Sequence, residues 1–246
     1  MLRRFCLRCA RASAVILSQP SSSQTARWQQ FDSLPSLELT ACHFILESAA
    51  RAIATRGFFS IVLSGGNAPR HVYRALCAAQ TDWSVWHVYF GDERCLPADD
   101  PERNSHMAHT VWLDHVAIPS AQIHSIRGES GPDAAAASYV RELAVLGEFD
   151  LVLLGLGEDG HTASLFPGGG WEQTANLPAA IPVYDAPKPP PLRVSLSPGR
   201  LSHALQVLFL VSGNEKKQAV ANWRAGVEIP ASRILPTDGV DIFLYA

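Results

Sequence analysis

A single histidine in a glycine-rich turn is the clearest candidate for chemistry in this sequence. Residues 150–168 read DLVLLGLGEDGHTASLFPG, so His161 follows three glycines just after an apolar run. A structural histidine more often lies on a regular element, whereas a turn after a strand leaves the imidazole free to approach a substrate. A neutral imidazole accepts a proton from water at physiological pH, because its ordinary pKa is about 6.5. We therefore predict that His161 acts as a general base and that Asp159 or Glu158 orients its ring.

A second loop carries residue types that suit a phosphate. Ser64-Gly65-Gly66-Asn67 follows an apolar segment and precedes a predicted helix. The two glycines permit a tight turn that presents backbone N–H groups, and the N-terminus of the helix adds partial positive charge. The loop matches neither the dinucleotide fingerprint nor the P-loop. An ordinary strand-to-helix turn is the alternative interpretation.

A third loop combines acidic and basic side chains. Asp92-Glu93-Arg94 directly follows WHVYFG and precedes a polar stretch that ends at Arg103. Such a triplet is either a solvated loop or a means of placing Arg94 against a phosphate or a developing oxyanion. Asn104, at the far end, is expected to cap the next helix or to reach the ligand.

The elements that must position these loops are strands and helices that alternate along the chain. The apolar runs predict strands at 58–63, 86–91, 123–126, 151–155, 192–196, 205–211 and 241–245. Helical spacing or composition predicts helices at 36–57, 70–80, 104–115, 132–147 and 214–225. The Pro-rich stretch at 186–191 is expected to be a rigid extended connector.

These strands are rich in Val, Leu and Phe and show no general hydrophobic–polar alternation, which is typical of strands buried on both faces. The pattern therefore predicts an α/β fold with a doubly wound, mostly parallel sheet and helices on both faces. Ligands bind such sheets at the carboxyl ends of the strands, so we expect the three loops to form one site.

Composition excludes several other functional classes. Hydrophobic residues make up 47% of the 246 residues and the formal net charge is −3, which argues against a nucleic-acid-binding surface. No apolar run approaches the roughly 20 residues of a membrane span. The odd number of cysteines favours a reducing, cytoplasmic setting. Neither the His106/His109 pair nor Cys6-x-x-Cys9 completes a metal-ligand pattern, so no metal is predicted.

The N-terminal segment differs from the rest of the chain. The first 31 residues contain five arginines and no acidic residue. This composition resembles a mitochondrial presequence, but we favour the alternative interpretations, a disordered tail or an upstream start codon. We assign 1–27 to a basic segment that is disordered or processed, and 28–246 to one catalytic domain.

Several motifs together resemble the 6-phosphogluconolactonase family. They are, in order, SGGNAPRHVYRAL, FGDERCLPADDPERNS, LLGLGEDGHTASLFPG, APKPPPLRVSLS and SGNEKKQAV. The resemblance extends from about Trp28 to the C-terminus. It implies hydrolysis of 6-phospho-D-glucono-1,5-lactone in the oxidative pentose phosphate pathway. It also implies a Rossmann-like fold shared with glucosamine-6-phosphate deaminases, and no metal requirement. We further expect no cofactor, and a monomer or weak homodimer.

The resemblance also assigns roles to residues. It implies that His161 is the catalytic histidine, and it places six residues in substrate-binding loops, namely Gly65, Gly66, Arg94, Lys188, Arg193 and Lys216. Together with the arguments from the residues themselves, we predict that His161, Asp159 and Arg94 are catalytic. The predicted substrate-binding residues are Gly65, Gly66, Asn67, Asp92, Asn104, Gly160, Lys188, Arg193 and Lys216. The chain departs from the family at Asn67 and Ala68, where hydroxyl residues are usual, and at Arg103, where serine is common. These departures affect individual phosphate contacts rather than the reaction.

Two other functions are consistent with parts of the sequence. An amino-sugar phosphate deaminase would share the fold, but that family typically has IAFNEP after the histidine. Here the residues are TASLFP, which lack the glutamate of the ring-opening relay. A non-catalytic sugar-phosphate sensor would keep the phosphate loop without needing His161, yet no helix-turn-helix or other output segment is evident.

Overall fold

A parallel β-sheet of seven strands forms the centre of the protein, which a computed structural model describes for residues 24–174 and 176–246. The strands of the described chain are β1 (Ala26–Gln30), β2 (Phe59–Leu63), β3 (Trp86–Phe90), β4 (Asp92–Arg94), β5 (Ile123–His124), β6 (Phe149–Leu154), β7 (Ala180–Val183), β8 (Arg193–Leu196), β9 (Ala204–Ser212) and β10 (Val240–Tyr245). Its α-helices are α1 (Leu34–Arg56), α2 (Asn67–Leu76), α3 (Asn104–Val111), α4 (Pro132–Leu143), α5 (Pro198–Ser202) and α6 (Lys217–Arg224).

The main sheet has the strand order β1-β10-β9-β6-β2-β3-β5, and all its pairings are parallel. Every residue of the central strands β2 and β6 is buried, because helices cover both faces. The chain runs from β2 towards one edge of the sheet and from β6 towards the other. The order of the strands therefore reverses between β2 and β6, which is where such sheets bind ligands. The predicted doubly wound α/β fold is confirmed.

A small antiparallel sheet, with the order β4-β8-β7, lies outside the main one. It corrects three predictions. The triplet 92–94 is a strand rather than a loop, and 192–196 contributes to this sheet rather than to the parallel one. The Pro-rich stretch is not an extended connector. It reverses the chain between the paired strands β7 and β8, and the N–H of Ala186 donates to the carbonyl of Pro191 at 3.1 Å.

Other differences concern the limits of elements. Helix α2 begins at Asn67 rather than at 70, because Pro69 lies in the first turn, where its missing N–H costs nothing. Helix α4 ends at Leu143, and a 3₁₀ turn over Asn214–Lys216 precedes α6. Strand β1 and the short helix α5 were not predicted, since their sequences lack a clear apolar run. Strand β7 was not predicted either, because Pro182 within it is unusual in a strand.

Strand β1 begins two residues before the predicted domain boundary. The Arg27 guanidinium donates to both carboxylate oxygens of Asp241 at 2.8 Å, and the Gln24 side chain donates to the carbonyl of Ala231 at 3.0 Å. Residues from Gln24 onward thus pack with the domain, and the remainder of the predicted basic segment lies outside the described residues. Among the helices that the structure describes, none has the length and apolarity to cross a membrane.

Candidate active site

A cleft of about 340 Å³ opens at the carboxyl ends of β2 and β6, where the strand order reverses. Most of the predicted site residues line it, namely Gly65, Gly66, Asp92, Arg94, Asn104, His161, Lys188, Arg193 and Lys216. Three do not. Asp159 and Gly160 support the histidine loop, and Asn67 faces an adjoining pocket beside Arg70. The three loops singled out from the sequence therefore meet.

The imidazole of His161 is held by Asp159. Its Nδ1 lies 2.5 Å from Asp159 Oδ1, and the same oxygen accepts from the backbone N–H of His161 at 3.1 Å. Glu158, the alternative partner, instead pairs with Lys188. An ionised carboxylate only accepts, so Nδ1 carries the proton and Nε2 keeps its lone pair.

Burial and mutual contact shift the pKa values of both His161 and Asp159. Burial lowers the pKa of His161 below its usual value, although the charges of Asp159 and Asp92 act in the opposite direction. Burial would raise the pKa of Asp159, but the N–H of His161 and the charge of its imidazole outweigh burial and lower that pKa. The favoured state is therefore a neutral imidazole beside an ionised carboxylate.

The glycines around this pair have steric roles. A Cβ on Gly157 would overlap the His161 ring, and the Gly157 N–H donates to the carbonyl of His161 at 2.7 Å. Gly160 has φ of +85° and lies against Ile229, where a side chain would collide. These positions explain why the histidine follows a glycine-rich turn.

Four cationic side chains surround the cleft. They are Arg94, Lys188, Arg193 and Lys216. Arg193 is buried and donates from Nε to the carbonyl of Pro190 at 3.0 Å and from Nη2 to that of Lys188 at 2.8 Å. Burial lowers its pKa. The cleft is thus suited to an anion.

The two guanidinium residues have a fixed relative position. Arg94 on β4 and Arg193 on β8 are directly paired in the antiparallel ladder, so their side chains leave the same face of the small sheet. Arg94 also donates to the carbonyl of Glu102.

The acidic residues of the DER triplet are not solvated, which corrects the first interpretation of this loop. Asp92 is buried, with Oδ1 accepting from Asn104 Nδ2 at 2.9 Å and Oδ2 accepting from Ser164 Oγ at 2.6 Å. Asp92 therefore joins the strand, α3 and the histidine loop. Both carboxylate oxygens of Asp92 already accept hydrogen bonds within the protein. The role of Asp92 in substrate binding stays a prediction.

Glu93, rather than Asn104, satisfies the N-terminus of α3. Its carboxylate accepts from the backbone N–H groups of Asn104 at 2.7 Å and Ser105 at 2.8 Å. The predicted cap was wrong, because the Asn104 amide turns back to Asp92. Glu93 also lies 3.4 Å from Arg103 Nε. Arg103 in turn donates to the Glu129 carboxylate at 2.7 Å, so this departure from the family is a buried structural residue.

The glycine loop approaches this network closely. A Cβ on Gly65 would overlap the Asn104 side chain, and Gly66, with φ of +107°, directly precedes α2. The N-terminus of α2 therefore opens on the cleft, as the sequence predicted. Asn67 is exposed and does not line the main cleft.

Phe166 is a residue of the site that the sequence analysis did not predict. It lines the cleft with its ring centroid 4.6 Å from that of His161. Its signal was present in the motif, where an aromatic residue follows the histidine by five positions. Within the described residues, no group of histidine, cysteine or carboxylate side chains could hold a metal ion.

Comparisons with known proteins agree with this geometry. A family model described as glucosamine-6-phosphate isomerases/6-phosphogluconolactonase matches residues 33–243. A 6-phosphogluconolactonase of Synechocystis sp. is 40% identical over 182 residues, which cover 69% of this chain and 73% of that protein. A Mycobacterium tuberculosis protein of the same name is 40% identical over 200 residues, which cover 74% of this chain and 80% of that protein.

Solved structures give the same result. The crystal structure of 6-phosphogluconolactonase from Thermotoga maritima has a TM-score of 0.82 at 25% identity and covers 89% of this chain and 99% of that chain. The Trypanosoma brucei enzyme has a TM-score of 0.79 at 28% identity, covering 90% and 96%. A monomeric glucosamine-6-phosphate deaminase, at 19% identity and a TM-score of 0.74, shares the fold. The chain therefore belongs to the family of glucosamine-6-phosphate isomerases and 6-phosphogluconolactonases.

Proposed function

We propose that this protein hydrolyses 6-phospho-D-glucono-1,5-lactone to 6-phospho-D-gluconate, the second step of the oxidative pentose phosphate pathway. The observation that carries the proposal is the 2.5 Å contact between His161 Nδ1 and Asp159 Oδ1 in a cleft lined by four cationic side chains. The relatives named 6-phosphogluconolactonase support the same reaction.

The phosphate of the substrate binds at the cationic part of the cleft. The N–H groups of Gly65 and Gly66, together with the partial positive charge of α2, favour a phosphate dianion there. Lys188 and Lys216 are the flexible cations that complete its charge balance, and Arg193 holds the loop that carries Lys188. Anchoring the remote phosphate orients the lactone carbonyl towards His161.

The neutral imidazole of His161 activates water. Asp159 fixes the Nδ1–H tautomer, so Nε2 takes a proton from a water molecule whose oxygen attacks C1 of the lactone. The carbonyl oxygen becomes an oxyanion, and Arg94 is the cation proposed to stabilise it. The Nε2–H then gives its proton to the ring oxygen as the bond from C1 to that oxygen breaks. One water is added across the ester, and the imidazole returns to its neutral state.

The test is a coupled assay on freshly generated 6-phosphogluconolactone, corrected for spontaneous opening. We expect turnover by the wild-type protein and its loss in His161→Ala. Glucosamine 6-phosphate serves as the control substrate. Ammonia release from it, with no lactone hydrolysis, would replace the proposal with a deaminase. Binding of 6-phosphogluconate without any turnover would replace it with a sugar-phosphate sensor.

A further inference from the structure

Phe166 contacts two functional groups that belong to different loops. Its ring is buried, and its centroid lies 4.6 Å from that of the His161 imidazole with an interplanar angle of 42°. The guanidinium carbon of Arg193 lies 5.5 Å from the same centroid, within the range of a cation–π contact. A single aromatic ring therefore contacts both His161 and Arg193.

The backbone around Phe166 is fixed independently of these contacts. Its carbonyl accepts from the Trp171 indole N–H at 2.9 Å and from the N–H of Gly169 at 3.1 Å. Two residues earlier, Ser164 donates to Asp92 at 2.6 Å. The ring is thus held on a rigid segment, which lets it restrain the more exposed imidazole.

On its other side, Phe166 contacts Arg193, which binds the loop over residues 188–190, here called the substrate loop. The donors of Arg193 reach the carbonyls of Pro190 and Lys188, so the position of the guanidinium determines the shape of that loop. The contacts run in series from His161 through Phe166 and Arg193 to the backbone of Lys188.

We propose that Phe166 is a positioning residue that holds the His161 imidazole in a fixed relation to Arg193 and excludes water from one face of the imidazole. This inference rests on the proposed lactone hydrolysis for its kinetic consequence. It assigns to Phe166 a role that is separate from filling the core.

The electrostatic surroundings of the imidazole determine the direction of the effect. The charged groups that face it are Asp159, Asp92 and Lys188, with Lys216 across the cleft and Arg193 beyond the Phe166 ring. Both carboxylates favour the protonated ring, and burial and Lys188 oppose protonation. Removing the Phe166 ring admits water to the imidazole. Hydration relieves the burial that disfavours the imidazolium, so we expect the pKa of His161 to move up.

Phe166→Leu is the primary variant and Phe166→Ala the larger truncation. Two readouts are used, the acid limb of the pH profile of kcat/KM and the pKa of His161 from an NMR titration of the imidazole without substrate. We expect both to move to higher pH. We also expect kcat to fall by about 10- to 100-fold, because a displaced base loses its alignment.

Phe149→Leu is the matched control. Phe149 is also buried beneath a guanidinium, that of Arg200 at 3.9 Å, but it lies at the start of β6, away from the cleft. The Phe149→Leu protein should be less stable than wild type, with the acid limb of kcat/KM and the NMR titration of His161 both unchanged. An unchanged His161 titration in folded Phe166→Leu would overturn the inference, as would an equal shift in Phe149→Leu. Absence of lactone turnover in the wild-type protein would instead overturn the proposed function, because the NMR titration needs no substrate.

Discussion

The ammonium of Lys188 lies 2.8 Å from the carboxylate of Glu158, so the loop that carries His161 also holds a cation of the substrate loop. Lys188 pairs with the Glu158 carboxylate at the place where we propose that a phosphate binds. The hydrogen bond from Lys188, with the charges of Lys188 and Lys216, keeps the pKa of Glu158 below its usual value, so the carboxylate is ionised at neutral pH. An incoming phosphate dianion must therefore replace Glu158 as the partner of Lys188, or bind against its charge.

Replacing that carboxylate should strengthen substrate binding. We expect Glu158→Gln to lower KM by about two- to fivefold with little change in kcat, because the pair is exposed and solvent screens it. The difference from wild type should shrink as salt is raised. Glu228→Gln is the control. Glu228 lies 2.6 Å from Arg233, and this exposed ion pair does not line the cleft. A raised KM in Glu158→Gln would mean that the carboxylate contributes to binding rather than opposing it.

The Asp159 carboxylate should affect both the rate and the pH profile. Asp159→Asn loses the fixed tautomer of His161, and we expect kcat to fall by at least about tenfold. Because the Asp159 charge raises the pKa of His161, its removal should move the acid limb of kcat/KM to lower pH. This shift is opposite in sign to the one expected for Phe166→Leu. Identical shifts in the two variants would contradict the assignment of the limb to His161.

The absence of a side chain at Gly157 should be essential for activity. Because a Cβ there overlaps the imidazole, Gly157→Ala must displace His161. We expect kcat to fall by about 100-fold. Gly147→Ala is the matched control, since a Cβ on Gly147 meets no atom within 4 Å. The measurement is kcat of the two variants by steady-state kinetics. Full activity in Gly157→Ala would show that catalysis tolerates a displaced His161 imidazole.

The buried carboxylate of Glu93 should contribute mainly to stability. It accepts from backbone groups of α3 and faces Arg103, so Glu93→Ala leaves the N–H groups of Asn104 and Ser105 without their acceptor and Arg103 with Glu129 as its remaining carboxylate partner. Losing one side of such a buried network costs about 3–5 kcal/mol of the free energy of unfolding. Urea denaturation measures this change in the free energy of unfolding. Glu102→Ala, at the exposed residue that precedes Arg103, is the control. A loss below about 1 kcal/mol would mean that water replaces the carboxylate.

Much of the fold was predictable because burial leaves a simple pattern. The central strands β2 and β6 are largely apolar, with Ser60 and Asp150 as their only polar residues, and a fully buried parallel strand favours such a composition. Strand β1 was missed because ARWQQ lies at an edge and is only partly buried. The triplet DER was misinterpreted for a different reason. Its carboxylates have partners distant in the sequence: Arg103 faces Glu93, and Ser164 donates a hydrogen bond to Asp92. No local sequence pattern indicates such partners.

The site was predictable where its chemistry is local. The partner of His161 is two residues away, and the glycines that make room for the ring are its neighbours. The pairing of Glu158 with Lys188, and the contact of Phe166 with Arg193, join residues about thirty positions apart. They depend on how the loops fold over the cleft, which residue types alone do not specify.

The pairing of Arg94 with Arg193 across the small antiparallel sheet couples two parts of the cleft. Residues opposite each other in a ladder keep a separation determined by the peptide backbone, so two like charges stay adjacent despite their mutual repulsion. A slip of one residue between β4 and β8 would turn one guanidinium to the opposite side. The strand register therefore keeps the guanidinium proposed to stabilise the oxyanion on the same side of the small sheet as the one that holds the Lys188 loop.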